Sequence, residues 1–183
     1  MPSKIIQNIY GLIKLSLNNT LPINIIGNKM EDIYNYQKVS DSIATSGQPT
    51  KEQFSEIKDS GYQIVINLAL PTSANALPDE KETVEGLGMQ YVHIPVVWES
   101  PQIEDVEEFF NVMTANNDKK TLVHCAANMR VSAFMYLYNR LRENMSDEEA
   151  KKNLYQIWVP NDIWQKFIAQ VIDYIMICNF CWC

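Results

Sequence analysis

Short apolar runs alternate with longer amphipathic segments from residue 30 onward. The segments QIVINLAL, MQYVHIPV and TLVH are nearly continuous in apolar residues, which is typical of strands in a sheet that is covered on both faces. Between them lie segments whose apolar residues recur at helical spacing. Strands that alternate with helices predict an α/β fold of three layers, with a mainly parallel central sheet and helices on both faces.

Capping and turn residues set the predicted boundaries. Thr50 and Gln53 have the spacing of a capping box, Gly61 and Gly88 follow helices, and Pro160 interrupts the chain before the last helix. The predicted strands are 38–44, 63–70, 89–96 and 121–124. The predicted helices are 51–59, 80–87, 103–115, 129–142, one capped at 146 and ending at 158, and a last one from 163.

A chain of 183 residues is long enough for one domain, which we place at residues 30–170. Residues 1–29 are predicted to be an N-terminal extension with a short amphipathic helix. Five apolar residues share one face of that helix: Ile5, Ile6, Ile9, Ile13 and Leu17. Residues 171–183 are predicted to be an apolar tail that contains cysteines.

The net charge and the positions of the cysteines limit which partners and ligands the chain is expected to bind. A net charge of -7 argues against nucleic acid, and a single weak apolar face argues against membrane association. Cys125 stands alone and the other three cysteines crowd the last six residues, a pattern typical of a reduced, cytoplasmic protein. The chain has no second cysteine pair and only two histidines, so we expect no metal site. It also lacks phosphate-binding glycine motifs, so we expect no cofactor.

Three loops follow the carboxyl ends of the predicted strands: Pro71–Asp79, Trp98–Gln102 and Cys125–Met129. Ligands bind at that end of a parallel sheet, so we predict that these loops form the site.

Cys125 lies directly between a predicted strand and a predicted helix. Its thiol would face the helix N-terminus, which favours the nucleophilic thiolate, and the first N–H groups of the helix can wrap an anion. Arg130 adds a planar fork for two oxygens of an oxyanion. Asn128 tolerates the left-handed backbone that a tight cradle needs, and His124 could orient the loop through its ring N–H. The alternative is a thiol that only packs in the core.

His124-Cys125 followed by Arg130 resembles the signature loop of the cysteine-dependent protein tyrosine phosphatase superfamily. The motifs IATSGQPT, VINLALP, YVHIPVVWE and HCAANMRVSAF resemble more closely a bacterial dual-specificity-phosphatase-like family, related to the phosphatase-like domain of β-lactamase-hydrolase-like proteins. The resemblance covers residues 30–168. It implies a phosphatase-like fold, a Cys125 thiolate that attacks phosphorus, and phosphate binding by Arg130 and the loop. The loop residues are Ala126, Ala127, Asn128 and Met129.

The loop departs from that signature in length and composition. Four residues separate Cys125 from Arg130 where the superfamily usually has five, and four is the loop size of rhodanese-like sulfurtransferases. Asn128 replaces a usual glycine, and the hydroxyl usual directly after the arginine is displaced to Ser132, which we predict to be a supporting residue. Three hypotheses therefore stay open. They are hydrolysis of a phosphorylated small molecule or protein, sulfur transfer through a Cys125 persulfide, and a degenerate phosphate-binding or interaction module.

A phosphatase also needs a general acid, which the superfamily carries on a separate loop. The matching loop reads IPVVWESPQIED, in which we predict Glu99 as the acid and Trp98 as a supporting residue that excludes water. Sulfur transfer needs no acid, so Glu99 discriminates between the hypotheses. Asp79 and Glu80 are predicted to serve only as the start of a helix, and His93 as a satisfied strand residue.

Overall fold

Five short strands form one sheet in the computed structural model of the chain, which describes residues 30–180. They are β1 (Gln37–Lys38), β2 (Ile43–Ser46), β3 (Ile64–Asn67), β4 (Gln90–His93) and β5 (Thr121–His124). Their order is β1-β2-β5-β3-β4, with β1 antiparallel to β2 and every other pair parallel. The inner strands β3 and β5 are buried at every position, which agrees with their continuous apolar sequence.

Helices cover both faces of this sheet. They are α1 (Gln53–Asp59), α2 (Glu80–Gly86), α3 (Ile103–Ala115), α4 (Met129–Leu141), α5 (Asp147–Ile157) and α6 (Asp162–Phe180). Two separate cores result. One core holds Phe54, Ile57 and Val84 of α1 and α2, and the other holds Phe109, Phe134 and Trp164 of α3, α4 and α6. The predicted three-layer α/β fold with a mainly parallel sheet is confirmed.

The predicted caps form as hydrogen bonds. The N–H of Thr50 donates to Gln53 Oε1 at 2.9 Å, and the N–H of Gln53 donates to Thr50 Oγ1 at 3.4 Å. Ser146 Oγ accepts from the N–H of Glu149 at 3.3 Å and begins α5. Gly61 follows α1 with a φ of 87°, a conformation that a side chain would oppose.

Several observed elements are a few residues shorter than predicted, and two differences are larger. The single strand expected at 38–44 is wrong: a turn divides it into β1 and β2, because Ser40 Oγ accepts from the N–H groups of Ser42 and Ile43 and reverses the chain. The last helix runs to Phe180, past the domain end that we placed at residue 170. Val171 and Ile175 are buried in the core, which explains the continuation.

Other expectations concern residues outside the described range, including the amphipathic helix within 1–29 and the last cysteines of the tail. Within residues 30–180, no helix is both long and apolar enough to cross a membrane. In the same range, no three histidine, cysteine or acidic side chains are grouped so that they could hold a metal ion.

Candidate active site

Cys125 follows β5 directly and is almost fully buried, with 1% of its surface exposed. Its N–H donates to the carbonyl of Ser46 at the end of β2, at 3.3 Å. α4 begins four residues later, at Met129, so the loop spans the gap between the middle of the sheet and a helix N-terminus. Cys125 therefore precedes the N-terminus of a 13-residue helix, whose first N–H groups have no partner within the helix.

Asn128 makes the tight turn into α4. Its backbone is left-handed, with φ 65° and ψ 1°, a conformation that asparagine adopts more readily than most residues. The side chain is fully buried, and Nδ2 donates to the carbonyl of Asn35 at 2.8 Å and to Thr45 Oγ1 at 3.0 Å. These bonds fix the turn from outside the loop.

The carbonyl groups of the loop point outward, toward donors on neighbouring segments. Those of Ala126, Ala127 and Met129 all accept hydrogen bonds. Their donors are the Gln48 N–H, Asn75 Nδ2, Asn35 Nδ2, Trp158 Nε1 and Ser132 Oγ, at 2.9–3.3 Å. Within a planar trans peptide the C=O and the following N–H point in opposite directions. The N–H groups of Ala127, Asn128 and Arg130 are therefore turned toward the inside of the loop.

Close packing of the segment before α1 supports the same loop. Gly47 lies opposite Ala127, and its N–H donates to the carbonyl of Tyr34 at 2.7 Å. A Cβ at Gly47 would lie 2.9 Å from Tyr34, closer than real contacts allow, and 3.1 Å from the Ala126 carbonyl oxygen, a tight contact. Only glycine fits between these two segments.

Arg130 lies in the first turn of α4, with 8% of its surface exposed. Its Nη1 donates to the carbonyl of Leu68, just after β3, at 2.9 Å. A guanidinium has five N–H donors, so this bond orients the group and leaves further donors for an anion.

A buried carboxylate cluster, formed by Glu80, His124, Asn67 and Gln48, lies beside the start of the loop. Glu80 Oε1 is 3.1 Å from His124 Nε2 and accepts from Asn67 Nδ2 at 2.7 Å, and Gln48 Nε2 donates to Glu80 Oε2. Burial alone would raise the pKa of Glu80, but the hydrogen bond and Coulomb attraction of His124, with help from Gln48, hold that pKa below its ordinary value. Glu80 is thus a buried carboxylate in contact with the residue before Cys125.

From the sequence, Glu80 is predicted only to start a helix. It does begin α2, but its side chain also faces the carboxyl ends of β3 and β5. The sequence gives a partial indication of this second role, because Glu80 directly follows the loop 71–79, which is predicted to form the site. Asp79 differs from Glu80: it is exposed and pairs with Lys51 at the surface. His93 Nε2 lies 2.7 Å from the carbonyl of Ala69, the satisfied strand position that we predicted.

A tryptophan cluster of Trp98, Trp158 and Trp164 lies at the other end of the loop. The ring of Trp98 is 5.2 Å from each of the other two rings, and Trp164 Nε1 donates to the carbonyl of Trp98 at 3.1 Å. Trp158 Nε1 lies 3.1 Å from both the Met129 carbonyl and Ser132 Oγ. The loop that carries Trp98 is thereby attached to the first turn of α4.

Glu99, next to Trp98, is exposed. It lines a cavity of about 660 Å³ together with Glu104 and with Lys166 and Phe167 of α6. The residues that line this cavity do not include Cys125 or any other residue of its loop. Glu99 lies on the segment that the tryptophan cluster attaches to α4, but its side chain does not contact the Cys125 thiol.

Comparison with known proteins agrees with this geometry. A family profile described as a DSP-PTPase phosphatase fused to NAD+ kinase matches residues 19–162. A DUF442 protein from Shewanella putrefaciens CN-32, provisionally described as a phosphatase, is 37% identical and superposes with a TM-score of 0.72, covering 80% of this chain and 96% of its own. Kinase-associated phosphatase, solved with serine in place of its catalytic-site cysteine, is 17% identical with a TM-score of 0.67, covering 79% of this chain and 97% of its own, and shows the same fold.

A longer curated relative matches in part. The β-lactamase hydrolase-like protein of Xylella fastidiosa (strain Temecula1 / ATCC 700964) is 25% identical over 116 residues, which are 62% of this chain and 27% of that protein. This chain therefore corresponds to about a quarter of the length of that relative.

Proposed function

The chain belongs to the family of DSP-PTPase phosphatases described as fused to NAD+ kinase, and from that premise we propose that it hydrolyses phosphomonoesters through a cysteinyl-phosphate intermediate on Cys125. The observation that carries the proposal is the outward direction of the loop carbonyls. It leaves the N–H groups of Ala127, Asn128 and Arg130 to bind the phosphate oxygens beside the thiol.

The reaction would run in two steps. The thiolate of Cys125 attacks phosphorus, an S–P bond forms, and the bond from phosphorus to the ester oxygen breaks. The Arg130 guanidinium and the loop N–H groups stabilise the charge on the other phosphate oxygens, and Glu99 gives its proton to the leaving oxygen. Water then attacks phosphorus and gives a proton to the Glu99 carboxylate, so that an O–P bond forms and the S–P bond breaks, which releases inorganic phosphate and restores the thiolate. In this proposal Ala126 and Met129 complete the cradle, and His124, Ser132 and Trp98 support it.

Glu99 needs a conformational step to serve as the acid, because it is exposed and lies apart from the thiol in the structure. The tryptophan cluster attaches the segment of Glu99 to the start of α4, so a closure of this segment over a bound phosphate would move Glu99 toward the leaving group. The substrate would be a phosphorylated small molecule or protein, acted on in the cytoplasm, where Cys125 would stay a free thiol.

Sulfur transfer is a second candidate, which the loop length favours. Four residues between Cys125 and Arg130 enclose a smaller cavity than five, which suits a terminal sulfur. In that reaction the Cys125 thiolate takes a sulfane sulfur from a donor such as thiosulfate, and sulfite leaves with the electron pair of the broken bond. This reaction needs no acid.

One paired assay separates the candidates. Turnover of para-nitrophenyl phosphate and sulfur transfer from thiosulfate are measured for the wild type, Cys125→Ser, Glu99→Gln and the control Glu104→Gln, an exposed acid of the same cavity. We expect Cys125→Ser to abolish phosphate turnover, Glu99→Gln to lower kcat about hundredfold, and Glu104→Gln to have no effect. Sulfur transfer that needs Cys125 but ignores Glu99 would instead support the second candidate. Phosphate binding without either reaction would indicate a degenerate binding module.

A further inference from the structure

Glu80 receives hydrogen bonds from three separate segments of the chain. Gln48 lies before α1, Asn67 ends β3, and His124 ends β5. Glu80 itself is only 3% exposed, and burial together with the nearby Glu80 carboxylate raises the pKa of Tyr91 on β4. A buried carboxylate is costly unless its oxygens are paired, so this number of donors ties Glu80 tightly to the site.

The first branch of these contacts leads to the nucleophile. His124 is fully buried against Phe54 and directly precedes Cys125. Its Nε2 is bound by Glu80, and its backbone carbonyl accepts from the N–H of Leu68 at 2.8 Å. Both the ring and the backbone of His124 are thereby held, which fixes the point where the loop begins.

The second branch leads to the arginine. Asn67 donates to Glu80, and Asn67 Oδ1 accepts from the N–H of Ala69 at 2.7 Å, so the side chain clasps the turn 67–69. The carbonyl of Leu68, inside that turn, accepts from Arg130 Nη1 at 2.9 Å. A continuous set of hydrogen bonds thus joins Glu80 to the guanidinium.

We propose that Glu80 is a positioning residue that holds Cys125 through His124 and Arg130 through Asn67, so that the loop is preformed for an anion. The inference rests on the proposed function, since it takes a phosphate oxyanion as the ligand of the loop. Glu80 does not touch the substrate. It sets the distance between the thiol and the guanidinium, the two groups that the ligand must meet at once.

The test measures the affinity for inorganic phosphate by calorimetry at a temperature where every variant is folded. Glu80→Gln keeps the shape of the side chain but loses its charge and one acceptor oxygen, and we expect phosphate binding about tenfold weaker. Asp79→Asn, the matched control one residue earlier, changes an exposed acid and is expected to bind phosphate as the wild type does. A purely structural role for Glu80 would lower the melting temperature and leave the phosphate affinity unchanged.

A double-mutant cycle tests the route to Arg130. Asn67→Ser is expected to weaken phosphate binding, and Glu80→Gln with Asn67→Ser should bind about as Glu80→Gln alone does, because both changes break the connection from Glu80 through Asn67 to Arg130. Asn67→Ser also decides the question if Glu80→Gln does not fold. The inference about Glu80 is wrong if the folded variants bind phosphate with wild-type affinity, or if the losses of the two single variants multiply in the double variant. Either result leaves the proposed function standing. A wild-type chain that binds no phosphate would overturn the proposed function as well.

Discussion

The two ends of the Cys125–Arg130 loop are held by different chemistry. At the start, the buried carboxylate cluster holds His124 through a charged side chain with three donors. At the end, the indole N–H of Trp158 holds the Met129 carbonyl and Ser132 Oγ, the Trp164 N–H donates to the Trp98 carbonyl, and the three rings pack on one another without any buried charge. A buried charge must be satisfied from all sides, whereas packed rings tolerate small shifts. The first end is therefore suited to fixed geometry, and the second to the movement that Glu99 requires.

The largest loss of stability is expected when the buried charge of Glu80 is removed. Glu80→Ala leaves Asn67 and His124 without their acceptor, and we expect the free energy of unfolding to fall by about 3 kcal/mol. Urea denaturation measures the change. Glu99→Ala removes an exposed carboxylate and should stay within about 0.5 kcal/mol of the wild type. Equal losses for the two variants would remove the distinction between the two glutamates.

The difference between Glu80 and Glu99 also explains what could be predicted from the sequence. The Cys125 loop was predictable because strand, cysteine, left-handed asparagine and arginine are neighbours in the chain. The partners of Glu80 lie 13, 32 and 44 positions away, so its environment depends on the order of strands in the sheet. Parallel pairing of β3 with β5 brings Asn67 and His124 to the same edge, a register that periodicity does not specify.

Trp98 shows the same limit at the other end of the loop. We predicted it as a water-excluding neighbour of Glu99, but its ring packs on Trp158 and Trp164, which follow it by about sixty positions. The carboxyl side of β4 and the last two helices meet only in the folded chain. Local sequence therefore predicted the position of the loop and its left-handed turn at Asn128, whereas the residues that hold the loop are brought together by long-range contacts.

A smaller effect is expected at the tryptophan cluster. Trp158→Phe keeps an aromatic ring but loses the N–H that bonds the Met129 carbonyl, and we expect a loss of about 1 kcal/mol in the free energy of unfolding. Tyr155→Phe, on the exposed face of α5, which ends directly before Trp158, is the control and should change little. A loss as large as that of Glu80→Ala would mean that both ends of the loop are equally rigid.

The smallest expected effect is the pH dependence of the stability that Glu80 contributes. The pKa of Glu80 lies below its ordinary value of about 4.3, so the native state binds this proton more weakly than the unfolded state. The stability that Glu80 contributes through ionisation is fully present above the ordinary value and is lost as pH falls through the lowered one. The effect is small because burial opposes the hydrogen bonds and attraction of His124 in setting this pKa.

The measurement compares the wild type with Glu80→Gln by urea denaturation at pH 6, 5, 4 and 3. The surface carboxylates with lowered pKa values, Asp41, Glu52, Asp79 and Asp147, titrate in both proteins and cancel in the difference. We expect the wild type to lose its advantage between pH 5 and pH 3, because the wild-type carboxyl then gains the proton that glutamine never binds. A difference that stays constant over this range would mean that the cluster holds Glu80 by shape alone. In that case the charge of Glu80 would no longer separate the two ends of the loop.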